Sequence, residues 1–298
     1  MTDALVVDSL VKRYGSHAAV DGVSFSAPRG AITGVLGPNG AGKSTTIRAL
    51  VGILPPDSGS IALFGAPVSR AALRRVGYLP EERGVYRAMT PRGFIAYLAR
   101  LKGMSHADAL QRADALLEAQ GLAPYARKRI KTLSKGMAQK VQLAAAVAHE
   151  PDLVVLDEPF SGLDPVNQRE VETMIRGIAA SGRTVLFSTH VMEHAERLCD
   201  RIVLINKGRK AFEGAVSEAL ALVPRIAVIE VEGSFDLAAA LAPHFTATRD
   251  DAGRWRVTLD APDASRKLLS ACVAANAPLT LYEPARATLH DAFVRIVG

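Results

Sequence analysis

Short apolar runs of β type alternate with helical patterns along the first part of the chain, which predicts an α/β domain. "ALVVDSL" (Ala4–Leu10) and "AVDGVSFSA" (Ala19–Ala27) read as edge strands. "AITGVLG" is an apolar strand that runs into a glycine-rich turn and then the helix "GKSTTIRALVGIL". The turn cluster "PPDSGS" (Pro55–Ser60) follows, and after it the strand "IALFG". From about Pro91 to His149 the pattern is purely helical. "PRGFIAYLARLKG" carries Pro at its first turn and closes on Gly103, and "SHADALQRADALLEAQG" runs from a Ser105 cap to Gly121. β-type runs then return as "DLVVLDE", "TVLFST" and "RIVLINKG". A helical insertion over about 91–149, inside an α/β domain of residues 1–214, is expected.

Beyond Gly214 the periodicity changes. "RIAVIEVEG", "DLAAALAPH", "RWRVTLD", "ASRKLLSACVAAN" and "APLTLYEPA" alternate β, α, β, α, β, and "ATLHDAFVRIVG" reads as a last helix. A boundary near residues 215–223 and a small α+β module over 215–298 are expected, with Trp255 packed in its core.

The 298 residues, 49% hydrophobic and 22% charged, have ordinary globular composition, which argues against a disordered chain. No apolar run approaches the roughly 18 residues that cross a bilayer. "MTDALVVDSL" lacks the basic flank of a secretory signal, so the chain is expected to be cytoplasmic. Cys199 and Cys272 lie far apart, fit no metal spacing, and read as reduced core thiols. The net charge of +6 suits an anionic partner such as a nucleotide, lipid headgroups or nucleic acid, or is merely spread over the surface. Only "ARKRIK" (Ala126–Lys131) forms a compact basic run, and it reads as a solvated loop or helix end.

"GPNGAGKST", Gly37 to Thr45, fits G-x-x-x-x-G-K-[ST] between a strand and a helix. Its glycines let the backbone curl so that several N–H groups point at phosphate oxygens, at the positive end of a helix. Lys43 supplies charge to the outer phosphates, and the Ser44 hydroxyl is a candidate Mg²⁺ ligand. "LVVLDEP" (Leu153–Pro159) is an apolar run that ends in two carboxylates. Ligands of parallel sheets sit beyond the carboxyl ends of the strands, where Asp157 and Glu158 emerge. Asp157 is expected to hold the Mg²⁺ shell, and Glu158 to orient or deprotonate an attacking water.

With these motifs in place, the chain resembles the ATP-binding-cassette (ABC) ATPases. "LSKGMAQKVQLAAAVAHEP" resembles that family's LSGGQ segment and its helix, and "SGLD" (Ser161–Asp164) resembles the loop after the catalytic Glu. The likeness covers residues 4–214, with all parts in family order. It implies a P-loop NTPase fold, with a RecA-like core, an antiparallel β edge and a helical subdomain. It further implies that ATP is held by Gly37, Pro38, Asn39, Gly40, Ala41, Gly42, Lys43, Ser44 and Thr45, with Tyr14 stacked on the adenine. Ser134, Lys135, Gly136 and Met137 would face the γ-phosphate of ATP on a second copy, and Asp164 would couple the two sites. "LSKGM" departs from LSGGQ at Lys135 and Met137, and the family's metal-and-coupling Gln appears as Glu81 or Glu82 in "GYLPEERG".

"STHVMEH" (Ser188–His194) also fits H-x-x-E-H, the order of one class of zinc peptidases. His190 directly follows an apolar strand, before the helix "VMEHAERLC" begins, and no third ligand is apparent, so the zinc reading fails. By the resemblance His190 senses the γ-phosphate beside Glu158. His194 is expected to be an exposed helix residue.

A single cassette, no membrane span and a helical insertion favour the motor of a transporter. Such a motor would be a homodimer on ATP, peripheral on the inner face of the membrane, driving a separate permease docked around Glu81–Arg92 with Tyr86 and Met89 as contacts. "GYLPEERG", "LSKGM" and the C-terminal segment resemble exporter ATPases of the sodium- or drug-efflux type. The alternative is a soluble ABC ATPase acting on nucleic acid or ribosomes. Such proteins usually carry two cassettes or long coiled coils, which this chain lacks, so no nucleic-acid partner is expected.

Overall fold

Burial on both faces selects the central strands of the computed structural model, which describes residues 3–81, 86–261 and 263–298. The chain opens with β1 (Asp3–Tyr14) and β2 (His17–Pro28), an antiparallel pair. β3 (Ile32–Leu36) leads through the glycine loop into α1 (Lys43–Leu50). β4 (Ser58–Leu63), β5 (Ala66–Pro67) and α2 (Arg70–Arg74) follow, then β6 (Val76–Leu79). The helical insertion holds α3 (Pro91–Leu101), α4 (His106–Ala119) and α5 (Lys135–Val147). β7 (Leu153–Leu156), α6 (Pro165–Ala180), β8 (Thr184–Thr189), α7 (Met192–Leu198), β9 (Arg201–Asn206) and β10 (Arg209–Ala215) complete this part.

Two sheets result. One has the order β2-β1-β4-β5 and is antiparallel; the other runs β10-β9-β3-β8-β7-β6 and is parallel except for its β9–β10 pair. Every residue of β3, β7 and β8 is buried, as strands covered on both faces must be. β1 is no edge strand: it pairs with β2 on one side and β4 on the other. Its alternation puts Leu5 and Val7 in the core and Val6 outside, and a period of two carries no information about the number of partners.

The insertion has its own core, in which Ala99, Ala109, Ala113, Ala144 and Ala148 pack with Phe94, Ile95 and Leu117. Thr90, Ser105 and Ser134 each cap the following helix by accepting a backbone N–H of its first turn. α5 is buried along almost its whole length, because one side meets α3 and α4 and another meets β6. At that meeting Gly77 leaves no room for a Cβ, which would run into the carbonyl oxygen of Ala146.

The chain divides into two compact units after Val216. α8 (Val216–Ala221) lies at the division. The second unit contains β11 (Ile226–Val231), α9 (Leu237–Leu241), β12 (Ala247–Arg249), β13 (Trp255–Thr258), α10 (Ala264–Ala274), β14 (Leu279–Ala285) and α11 (Leu289–Val297). Its antiparallel sheet, ordered β12-β13-β11-β14, buries Ala227, Ile229, Trp255 and Val257 with Leu237, Leu268 and Cys272.

Gly77→Ala tests the seat of α5. The added methyl is expected to cost about 1–3 kcal/mol, as overpacking of a close contact does, and to lower the melting temperature of the first unit. An unchanged melting curve would contradict the packing described.

Candidate functional site

Three neighbouring parallel strands end at one edge. Leu36 of β3 stands opposite Thr189 of β8, and Phe187 of β8 opposite Leu156 of β7. The segments that leave them, Gly37–Gly42, Asp157–Phe160 and His190, therefore emerge together beyond the carboxyl ends of the sheet. The loop after β3 needs its glycines. At Gly37 a Cβ would strike the Ile205 carbonyl, and Gly42, at φ 103°, would strike that of Ala19. Pro38, Asn39 and Gly40 lie at the surface, and Ala41 is buried.

A cavity of about 390 Å³ opens over this loop, lined by Asn39, Gly40, Gly42, Lys43, Ser44, Thr45, Glu81 and Glu158 with His17 and Ala19 of β2. Lys43 is 5% exposed. Its ammonium donates to the carbonyls of Gly37 (2.9 Å) and Pro38 (3.1 Å) and stands 3.5 Å from Glu158 Oε1. A buried cation needs such partners, because the desolvation of an unpaired one costs several kcal/mol.

Asp157 is fully buried, and burial pushes its carboxyl above the ordinary range. Hydrogen bonds donated by Ser188 Oγ (2.6 Å) and Ser44 Oγ (3.1 Å) to Oδ1 oppose that rise. Oδ2 is buried and has no hydrogen-bond partner among the described residues. Glu81 Oε2 lies 3.5 Å from Ser44 Oγ. Three oxygen-bearing side chains, two of them carboxylates, thus meet around the Ser44 hydroxyl. The alternative residue, Glu82, lies outside the described residues.

Glu158 adopts φ 46°, a left-handed conformation that a non-glycine residue holds only under constraint. Its backbone N–H donates to Ser188 Oγ at 2.9 Å, and the next carbonyl, of Pro159, accepts from Gln139 Nε2 at 2.8 Å. His190 Nδ1 is 3.0 Å from both carboxylate oxygens of Glu158, so that nitrogen carries the proton and donates. Acid, imidazole and ammonium form one connected array around the cavity floor.

The other expected residues lie elsewhere. Ser134 and Lys135 are exposed at the start of α5, Met137 is half-buried, and none of the segment lines this cavity. Gly136 is buried against Asn167 of α6, whose side chain occupies the space of a Cβ. Asp164 caps α6, accepting from the backbones of Val166 and Asn167 at 3.0 Å and from Asn167 Nδ2 at 2.5 Å. Tyr14, 52% exposed at the end of β1, is outside the cavity lining.

Sequence reasoning missed His17, Ala19, Gln139 and Ser188. Only Ser188 offered a signal, two residues before His190. His194 corrects an expectation: it is 3% exposed, not a surface residue, because its ring packs on Phe160 and its Nδ1 meets Glu172. Among the described residues no cluster of three His, Cys, Asp or Glu could hold a metal ion.

Residues 20–161 match the family described as "ABC transporter". An uncharacterised ABC transporter ATP-binding protein of Bacillus subtilis (strain 168), YhaQ, is 36% identical, with 99% of this chain and 98% of the relative aligned. Nod factor export ATP-binding protein I of Burkholderia orbicola (strain AU 1054) is 38% identical over 96% of this chain and 94% of its own length. The linearmycin resistance ATP-binding protein LnrL of Bacillus subtilis (strain 168) is 37% identical over 68% and 67%. A solved ATP-binding subunit of an ABC transporter superposes with a TM-score of 0.67 at 32% identity, covering 74% of this chain and 92% of that one.

Lys43→Ala removes the buried ammonium. ATP affinity is expected to fall at least about tenfold, or roughly 1.4 kcal/mol, with the fold retained. Unchanged affinity in a titration with ATP would remove Lys43 from phosphate binding.

Proposed function

This chain belongs to the family of ABC transporter ATP-binding proteins and is an ATPase, and from that premise we propose that it is the motor of an exporter. Two copies close on ATP and drive a separate transmembrane permease. The observation that carries this reading is the convergence of buried Lys43, Asp157 and Glu158 with His190 at one strand edge.

Each side chain then has a task. Lys43 exchanges the carbonyls of Gly37 and Pro38 for the outer phosphates, and the backbone from Gly37 to Thr45 wraps the phosphate chain. Glu158 orients or deprotonates the attacking water, and the proton on His190 Nδ1 keeps that carboxylate aimed while the ring senses the terminal phosphate. Tyr14 offers its exposed ring to the adenine. The open Asp157 Oδ2, the Ser44 hydroxyl and the Glu81 carboxylate fit Mg²⁺, a hard cation that prefers oxygen donors. The ion supplies positive charge to the phosphates when bound.

Ser134, Lys135, Gly136 and Met137 stand apart from their own cavity, as they must if they serve the nucleotide of a second copy. Asp164, adjoining them through Asn167, couples the two sites. For the permease, an apolar groove of about 320 Å³ lies beside the insertion, lined by Val51, Ile53, Leu73, Leu98 and Leu101. Ile53 is 60% and Leu101 63% exposed, and exposed Tyr86 lies edge-on to Tyr97 nearby on α3, so a helix with an apolar face is the natural guest. Met89 is half-buried against the core of the insertion. No helix among the described residues is long and apolar enough to cross a membrane, so the chain would sit peripherally on the inner face and depend on that partner. The export direction is drawn from the Nod factor export and linearmycin resistance relatives.

Glu158→Gln is expected to bind ATP, to hydrolyse it about 10²–10⁴-fold more slowly, and to elute as a dimer in size-exclusion runs with ATP. Near-normal turnover would remove Glu158 from its role. Chelation of Mg²⁺ is expected to stop hydrolysis while the circular dichroism spectrum stays unchanged; turnover that persists in excess chelator counts against the metal site. Purification from membranes should recover a polytopic partner, whereas recovery of ribosomes or DNA alone would favour a soluble ABC ATPase acting on nucleic acid.

A further inference from the structure

The turn that carries Glu158 rests on a buried charged cluster outside the nucleotide site. Phe160, two residues on, is buried between two rings. It meets Phe187 edge-on at 5.9 Å and lies almost flat on the His194 imidazole, with centroids 4.1 Å apart and planes 20° apart. His194 is fixed in turn. Its Nδ1 is 3.0 Å from Glu172 Oε1 on α6 and 3.1 Å from Arg197 Nη2, so the ring is held by both members of that ion pair. Arg197 donates to the same oxygen through Nε (3.1 Å) and Nη2 (2.6 Å), and its own carbonyl accepts from Arg176 at 2.6 Å. Burial alone would push the Glu172 carboxyl up, but the hydrogen bonds from Arg197 and His194 outweigh it and hold the group below the ordinary range.

An apolar side chain would fill this space without the desolvation of His194 and Glu172, the two buried members of the cluster. What the charged cluster adds is orientation, because hydrogen bonds fix the plane of the imidazole and the imidazole fixes the plane of Phe160. That matters because Glu158 is strained at φ 46° and keeps that conformation only while its surroundings hold it. The turn has three holds: Ser188 on the Glu158 N–H, Gln139 on the Pro159 carbonyl, and the ring clamp on Phe160.

We propose that His194, held by Glu172 and Arg197, is a positioning residue that sets the Glu158 carboxylate through Phe160. It lies outside the lining of the cavity over the phosphate loop, and the inference rests on the reading of Glu158 as the residue that activates water. The same cluster ties α6, which Asp164 caps, to α7, which follows His190, so both neighbours of the site share one anchor.

The test compares His194→Ala, His194→Phe and Glu158→Gln in the full chain by steady-state ATP hydrolysis, ATP titration and thermal unfolding. His194→Ala is expected to lower kcat about tenfold, the scale of a slightly misplaced reacting group, with ATP affinity unchanged. His194→Phe keeps a flat ring but loses the hydrogen bonds that fix its plane, and is expected to recover only part of kcat. Should His194→Ala fail to fold, Glu172→Gln, which keeps the shape but loses the charge, is expected to show the same loss of kcat at unchanged affinity. If Glu158→Gln keeps normal turnover, the reading of Glu158 falls and this inference with it. If Glu158→Gln is inactive, the inference alone is overturned by normal kcat in His194→Ala, by normal kcat in His194→Phe, or by losses that track the folded fraction.

Discussion

Charge buried at the carboxyl end of three parallel strands is the constraint that the rest of the first unit satisfies. Lys43, Asp157 and Glu158 are each less than 9% exposed there, and no such group stays ionised without partners. Lys43 takes two loop carbonyls and Glu158; Glu158 takes Lys43 and His190; Asp157 takes two serine hydroxyls. The register of β3, β8 and β7 makes these pairings available, since each strand delivers its part of the array to one edge. One oxygen, Asp157 Oδ2, is left without a hydrogen bond among the described residues, and burial drives that carboxyl upward. In the proposed site, a divalent cation held by Asp157, Ser44 and Glu81 would supply the missing partner.

The helical insertion answers the same constraint from the other side. α5 begins at the exposed segment Ser134–Lys135 and passes the turn that carries Glu158, where Gln139 holds the Pro159 carbonyl. Lys140 pairs with Glu170 of α6 at 2.6 Å, and Gly136 lies against Asn167. Three contacts therefore join the helix that would read a second copy's nucleotide to the elements that flank this copy's own. In the proposed motor, a change felt at one end of α5 reaches the other without a flexible link.

The sequence made the fold class legible because parallel buried strands leave continuous apolar runs and the phosphate loop leaves glycines at fixed spacing. The meeting of Lys43, Ser44, Asp157, Glu158 and His190 followed from strand ends plus family order. The place of β1 did not follow, since alternation tells which face is buried but not how many neighbours a strand has. His194 was misjudged for a related reason: a short helix hides a polar side chain whenever partners from another element meet it, and Glu172 is 22 residues away. Gln139 donates to a backbone carbonyl, and Ser188 accepts from a backbone N–H while donating to Asp157, contacts that no local pattern encodes.

At the centre of the account is a composite site, with the charged array of one copy completed by the start of α5 from another. Mixing two disabled chains tests this most directly. Lys43→Ala spoils the array but keeps the α5 segment, and Ser134→Arg spoils the segment but keeps the array. The account predicts that each variant alone is nearly inactive and that an equal mixture regains measurable ATP turnover, because a mixed pair holds one intact site. A mixture no more active than its components would contradict it.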